Sequence, residues 1–303
     1  MSYLDLRFRA QPGVTARIVE RPARHLSDAA VAALVTDLQT VARTVLGDAP
    51  LDYGAISGDR ERLSDSVLTI LYDASGRPIA FNALAWMDLA LRGRPTSVLH
   101  LGLVMVDPAV RSQGLSWVLY GLTCFLLFAR GGLRPLWISN VTQVPAVVGM
   151  VAETFSAVFP NVTGAPRSHD HLALARAIMR RCRHVFGVGP EAGFDEARFV
   201  ITDAYTGGSD NLKKRFADAA KHRVDGYNAL CAAMLDYERG DDLLQLGRID
   251  LETARAFVRD AVPRESVAGV LAQSALLALQ ALVLPVWHWL DAGRDWGSLR
   301  PAR

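Results

Sequence analysis

Residues 104–122 read VMVDPAVRSQGLSWVLYGL, and this stretch decides how the rest of the chain is read. It starts as the end of an apolar strand, 98–106, and breaks at Asp107-Pro108. Six residues after the Pro, Gly114 opens an apolar helix that runs to about Ala129, and Gly131-Gly132 ends it. Arg111 stands three residues before Gly114. A strand feeding a short Gly-containing loop and then a helix N-terminus makes an anion site. The first-turn N–H groups lack intrahelical partners, the helix dipole adds partial positive charge, and a glycine admits a phosphate close to the backbone. Taken alone, the same pattern also describes an ordinary strand-turn-helix with a glycine at a tight turn.

Working outward, the alternation of TARIVE predicts a first strand at 14–20. Ser27 then caps an apolar-periodic helix over 29–46. VLTILY (67–72), the turn-forming DASGRP (73–78) and the strand at 79–91 make an antiparallel hairpin. RGRPT (92–96) turns the chain into the strand at 98–106. After the helix come a strand at 136–141 and a helix at 145–159 with Pro in its first turn. That order is an α+β or mixed α/β pattern. The C-terminal half predicts helices at 172–185, 211–222, 227–237, 250–260 and 266–290, with strands at 198–205 and 243–249. The expected organisation is a unit over 1–262 and an apolar helical extension over 263–303.

In this context the segment resembles the GNAT (GCN5-related N-acetyltransferase) superfamily. That family's mark is V-x-P-x-x-R/Q-x-x-G-x-G/A, which binds the coenzyme A pyrophosphate. Val106, Pro108, Arg111, Gly114 and Ser116 fall on those positions, with Ser in place of the final Gly or Ala. The resemblance covers about residues 14–160. It implies a mixed twisted sheet flanked by helices, and transfer of an acyl group from acetyl-CoA or a longer acyl-CoA to an amine. It further implies that the strands at 99–106 and 136–141 splay to admit the pantetheine arm and thioester. Backbone N–H groups near Leu103, Val104 and Met105 would polarise the thioester carbonyl. Arg111 and the backbone of Ser112, Gln113, Gly114, Leu115 and Ser116 would hold the pyrophosphate.

The chemistry also needs a base for the amine and an acid for the leaving thiolate. Many family members carry a Tyr on the helix after the fifth strand; this chain has none between Asn140 and Pro160, so Tyr120 or water takes that role. His100 is the candidate base, expected on the same side as Gly102 and Val104, or else it is a hydrogen-bonded core histidine. Ser139 and Asn140 either bind substrate or water beside the slot or close the strand into a turn. The missing Tyr leaves a second reading open, an acyl-CoA-binding or scaffolding protein without turnover.

The chain of 303 residues carries 33 basic and 31 acidic residues, a balance that gives no case for a nucleic-acid partner. Three cysteines, widely spaced, make neither a disulfide frame nor a zinc pattern, and no metal is expected. The N-terminus has no apolar signal-peptide core, so the cytoplasm is the expected compartment, with peripheral contact at the inner membrane as a variant. Mean hydropathy is +0.16 with 50% hydrophobic residues, which excludes a disordered chain. The excess concentrates in three stretches free of Asp, Glu, Lys and Arg: 112–129, 135–152 and 266–290. The first two flank the expected slot, so something apolar must cover their outer faces: the C-terminal helix, a second subunit in a homodimer, a lipid surface or a long acyl chain. That makes a lipophilic donor or acceptor the expectation. A membrane-associated enzyme using acyl carrier protein is a further reading. Basic runs at 176–184 and 213–223 would meet CoA phosphates, such a carrier protein or lipid headgroups, or simply face solvent. Ser168-His169-Asp170-His171 reads as a helix cap rather than a metal site.

Overall fold

A computed structural model describes residues 3–47, 54–111, 113–115, 117–207 and 210–290. Ser112 and Ser116, both expected at the pyrophosphate, lie outside the described residues. Ten strands among the described residues form one open sheet: β1 (Asp5–Gln11), β2 (Val14–Glu20), β3 (Ser66–Tyr72), β4 (Pro78–Leu91), β5 (Arg94–Val106), β6 (Leu136–Thr142), β7 (Ser156–Phe159), β8 (Gly193–Asp195), β9 (Val200–Thr202) and β10 (Asp242–Ile249). The order across the sheet is β1-β2-β3-β4-β5-β6-β10-β9-β8, with β7 beside β10. Every pairing among the described residues is antiparallel except β5 with β6. The architecture is therefore mixed α+β, as the element order predicts.

Eight α-helices among the described residues flank the sheet: α1 (Asp28–Leu46), α2 (Arg60–Asp65), α3 (Thr123–Arg130), α4 (Pro145–Thr154), α5 (His169–Arg181), α6 (Asp225–Met234), α7 (Leu251–Ala256) and α8 (Arg264–Leu290). Ser27 caps α1 by accepting from the Ala30 N–H, as its position predicts. The buried stripe Val31, Leu34, Leu38 and Val41 lays α1 on Leu68, Ile70, Phe81 and Met105. Among the described residues α1 is the helix long and apolar enough to cross a bilayer, yet this stripe docks it on the sheet. On the same face α5 packs over Val98, Leu244 and Leu246. The opposite face carries α3, α7 and α8 over Leu84, Trp86, Leu99 and Leu101.

The charge-free helices are covered from within the chain. Phe257 lies so close to Gly121 that a Cβ there would sit 2.1 Å from its ring, and it meets the Phe125 ring at 5.6 Å. Val270 and Leu277 of α8 are buried in the same core, and Ser266 Oγ donates to the Ala10 carbonyl at 3.0 Å. On α4, Gly149 admits the His222 ring, and Val148 packs with Tyr227 and Cys231 of α6. Most of the large apolar side chains left exposed among the described residues are on α8 itself, Leu271, Leu279, Trp287 and Trp289 among them.

Several elements differ from expectation. β1 precedes the first predicted strand and pairs with it along most of its length. The helix expected from Gly114 begins as a π-helical turn, Trp117–Leu122. The helix expected at 145–159 stops at Thr154, where Phe155 turns extended (φ −114°, ψ 154°) and the chain runs on as β7 to pair with β10. The strand expected at 198–205 narrows to β9. The helix expected at 211–222 is one short 3-10 turn, Asp210–Leu212, followed by irregular chain. Two of its three lysines act on backbone instead: Lys213 Nζ donates to the Glu238 carbonyl at 2.6 Å and Lys221 Nζ to that of Ala219 at 2.8 Å.

Candidate functional site

β5 and β6 pair in parallel only from Val98↔Trp137 to Leu101↔Asn140, and then part. At the parting point β5 carries a bulge: Ala85 faces His100 and Ala83 faces Leu103, so Leu101 and Gly102 share one position opposite Leu84. A Cβ on Gly102 would lie 2.1 Å from the Ala83 carbonyl oxygen, so only glycine fits there. The bulge inverts the side-chain phase. His100, paired with Ala85, shares its face with Leu103, while Val104, paired with Asn82, takes the other. The expectation that His100 and Val104 face one way is thus corrected by one extra residue.

Beyond the bulge the peptide groups of β5 also divide. The Asp107 N–H donates to the Ile79 carbonyl at 2.9 Å, and an antiparallel ladder repeats every second residue. Met105 is then held by β4, and the Val104 and Val106 peptides turn toward the gap left by β6. Of the three N–H groups expected to polarise a carbonyl, Val104 supplies the one that faces the gap. The Met105 side chain is buried against α1.

The gap is a cleft of about 250 Å³. One wall is Val104, Tyr120, Val147 and Met150; the other holds Asn140, Gln143, Tyr205 and Asp242, with Lys214 at the mouth. Burial pushes the Tyr120 hydroxyl up from its ordinary range. Asn140 is buried and its amide donates to Gln245 Oε1 at 3.3 Å, while Gln245 donates to the Val148 and Pro160 carbonyls. It therefore lines the cleft and also ties β6 to β10. Two buried amide oxygens in the cleft walls, Asn82 Oδ1 and Gln143 Oε1, have no hydrogen-bond partner among the described residues. The Asn82 amide nitrogen donates to the Leu119 carbonyl inside the π-helical turn, which fixes its oxygen on the other side.

His100 stands outside this cleft. It lines a second, water-sized pocket of about 20 Å³ with Ala55, Ile56 and Ala85, which meets the cleft at Gly102 and Leu103. Its Nδ1 lies 3.0 Å from Ser139 Oγ, and its ring packs on Phe186. Burial pushes its pKa down to about 4, so it is neutral at pH 7 but a weak base.

The loop after β5 is held at its start. The Ala109 N–H and the Arg77 guanidinium both bond Asp107, which keeps its carboxyl below the usual range. Arg111 and Gln113 are exposed, Gly114 takes a left-handed φ of 69°, and the Leu115 side chain turns into the core. The Leu115 carbonyl accepts both the Val118 and Leu119 N–H groups, the first bonds of the helix. Ser168 caps α5 in a capping box with His171, and Asp170 pairs with Arg92, so this run is used as a helix start. Among the described residues no group of three His, Cys, Asp or Glu is placed to hold a metal.

Sequence reasoning did not single out Asn82, Gln143, Tyr205 or Asp242. Asn82 carries a legible signal, a lone amide inside the apolar strand PIAFNALAWM. Asp242 has only its place at the head of an apolar strand, and Tyr205 reaches the site through tertiary folding alone.

No protein-family model matches the chain, and no curated protein matches it. Among solved structures, a mutant of the BH1408 protein from Bacillus halodurans is similar over 34% of this chain and 68% of its own, at 12% identity and a TM-score of 0.20. A likeness of that size carries no argument about function.

Proposed function

We propose that the chain is an acyl-CoA-dependent N-acyltransferase of the GNAT type, which passes an acyl group from a CoA thioester to a small-molecule amine. The observation that carries this reading is the parting of β5 from β6 at Leu101 and Asn140, which opens a cleft along the end of β5 that runs on in sequence to the Gly114 loop. A thioester arm fits such a gap between strands. The Val104 N–H faces the place where the thioester oxygen would gain charge, and a donor there is worth a factor of about 100 or more in rate. Arg111 and the backbone of Gln113, Gly114 and Leu115 would hold the pyrophosphate at the head of the helix.

The dry wall supports a lipophilic acyl chain, since Val104, Val147 and Met150 bring no charge to the cleft. The exposed apolar face of α8 supports peripheral contact with a lipid surface from the cytoplasmic side.

The test is a thiol-release assay over acyl-CoA chain lengths and a broad amine panel, paired with calorimetric titration of each CoA. The expected result is thiol release that needs both substrates, with long-chain acyl-CoA bound more tightly than acetyl-CoA. Each buried methylene contributes about 0.8 kcal/mol. Binding without release from any amine favours the acyl-CoA-binding reading that the absent Tyr allows. No binding of any acyl-CoA overturns the proposal.

A further inference from the structure

Asp242 is a buried carboxyl in the cleft to which the reading of the sequence gave no role. It opens β10 one residue before the pairing Leu243↔Thr142, at the end of the sheet where β5 and β6 have parted. The hydrogen bonds around it run in one direction. Gln143 Nε2 donates to the Tyr205 oxygen, and Tyr205 Oη donates to Asp242 Oδ1 at 3.0 Å. Gln143 is itself fixed by donating to the Leu212 carbonyl at 3.2 Å and by accepting from Tyr237 at its own carbonyl, at 2.6 Å. The charged groups facing the site are Asp241, neutralised by Arg239 at 2.7 Å, and Lys214 at the mouth.

The geometry points to Asp242 as the proton shuttle of the cleft, giving a proton to the departing sulfur and taking one from the attacking nitrogen. This rests on the acyltransferase reading. The amine lone pair forms the C–N bond, and the carbonyl π pair moves onto oxygen. When that pair returns, the C–S bond breaks and its electrons leave on sulfur. The Asp242 proton passes to the sulfur, which departs as the free thiol. The carboxylate then takes the surplus proton from the nitrogen, so the amide is neutral and Asp242 is restored. No co-reactant is needed.

Tyr205 occupies Oδ1 and leaves the second oxygen for the proton, which makes it a positioning residue. Burial, reinforced by Asp241, holds the Asp242 pKa at about 8, against the opposing pull of the Tyr205 hydrogen bond. The group is therefore protonated at neutral pH and sits near the range in which one residue can both give and take a proton.

The experiment is Asp242→Asn in the full chain, with thiol release measured from pH 6 to 10 and CoA binding measured in parallel. Asn keeps the shape and the Tyr205 contact but carries no transferable proton. The expected result is CoA affinity within about twofold of wild type, with turnover reduced by about 100-fold or more. The wild type should also lose activity as pH rises through about 8, and the Asn variant should lack that limb. Tyr205→Phe removes a bond that favours the carboxylate and should move the limb to higher pH. An Asn variant that turns over like wild type overturns the shuttle and leaves the acyltransferase reading standing. A wild type that releases no thiol with any acyl-CoA overturns both. Carboxyl-carbon NMR gives an arm independent of turnover: titration of Asp242 near 4 overturns the shuttle whatever the substrate.

Discussion

The dry wall of the cleft, lined by Val104, the π-helical turn and α4 and backed by α3, differs from the wall built by β6, β9 and β10 in what each buries. The first buries Val118, Leu122, Phe128 and Val148, and its outer faces are covered by Phe257, α8 and α6. The second buries Asn140, Gln143, Asp242 and Gln245 in two sets of hydrogen bonds, Asn140 with Gln245 and Gln143 with Tyr205 and Asp242. The dry wall is held by area and packing, which tolerate any apolar shape that fills the space. The polar wall is held by directed bonds, where losing one partner leaves another buried group unsatisfied. A cleft with one wall of each kind can grip an acyl arm on one side and handle protons on the other.

The largest expected effect tests the dry wall. Phe128→Ala should cost about 3–5 kcal/mol in urea unfolding, since the ring is 1% exposed and its loss leaves a cavity. A cost under about 1 kcal/mol would mean that the wall can collapse and is not tightly packed.

The polar wall should answer to pH instead. The Asp242 pKa is about 8 when folded, against roughly 3.9 for an unfolded Asp. Its contribution to stability is fully present below about 4 and is lost as pH climbs through about 8. Thermal melts should therefore show Asp242→Asn gaining on wild type as pH rises from 5 to about 9. Parallel profiles would remove the contrast between the walls.

Val104→Phe pushes a ring into the gap from the dry wall. It should lower acyl-CoA affinity about tenfold or more, read by calorimetry, with the fold retained. Unchanged affinity would place the acyl arm elsewhere. The smallest effect lies behind the polar wall, where Ser168→Ala removes the cap of α5. It should cost about 1 kcal/mol in unfolding with no change in CoA binding.

How much of this was legible depended on whether a feature is local. The strands at 67–72, 79–91 and 98–106 announce themselves by apolar runs and turn residues, and Ser27 and Ser168 by their place before helices. Leu103, Val104, Tyr120 and Asn140 do meet at one cleft. The bulge at Gly102 was not legible, because an extra residue opposite Leu84 depends on the partner strand. It was enough to turn His100 away from the face expected of it. The basic run at 213–223 has helical spacing, yet Lys213 and Lys221 bond carbonyls of irregular chain. Asp242 and Tyr205 lie far along the chain from Asn82 and Tyr120, and only the tertiary fold brings them together.

That distance bears on how the protein is made. β10 is the last strand among the described residues, yet it sits inside the sheet between β6 and β9. During synthesis β6 emerges with one edge bare and stays so until about a hundred further residues have left the ribosome. Until β10 inserts, neither the polar wall nor a closed cleft exists, and the bare edge is a template for pairing with other nascent chains. Assembly of the cleft therefore depends on a non-local pairing, and a chaperone that shields the edge of β6 should raise the yield of folded protein.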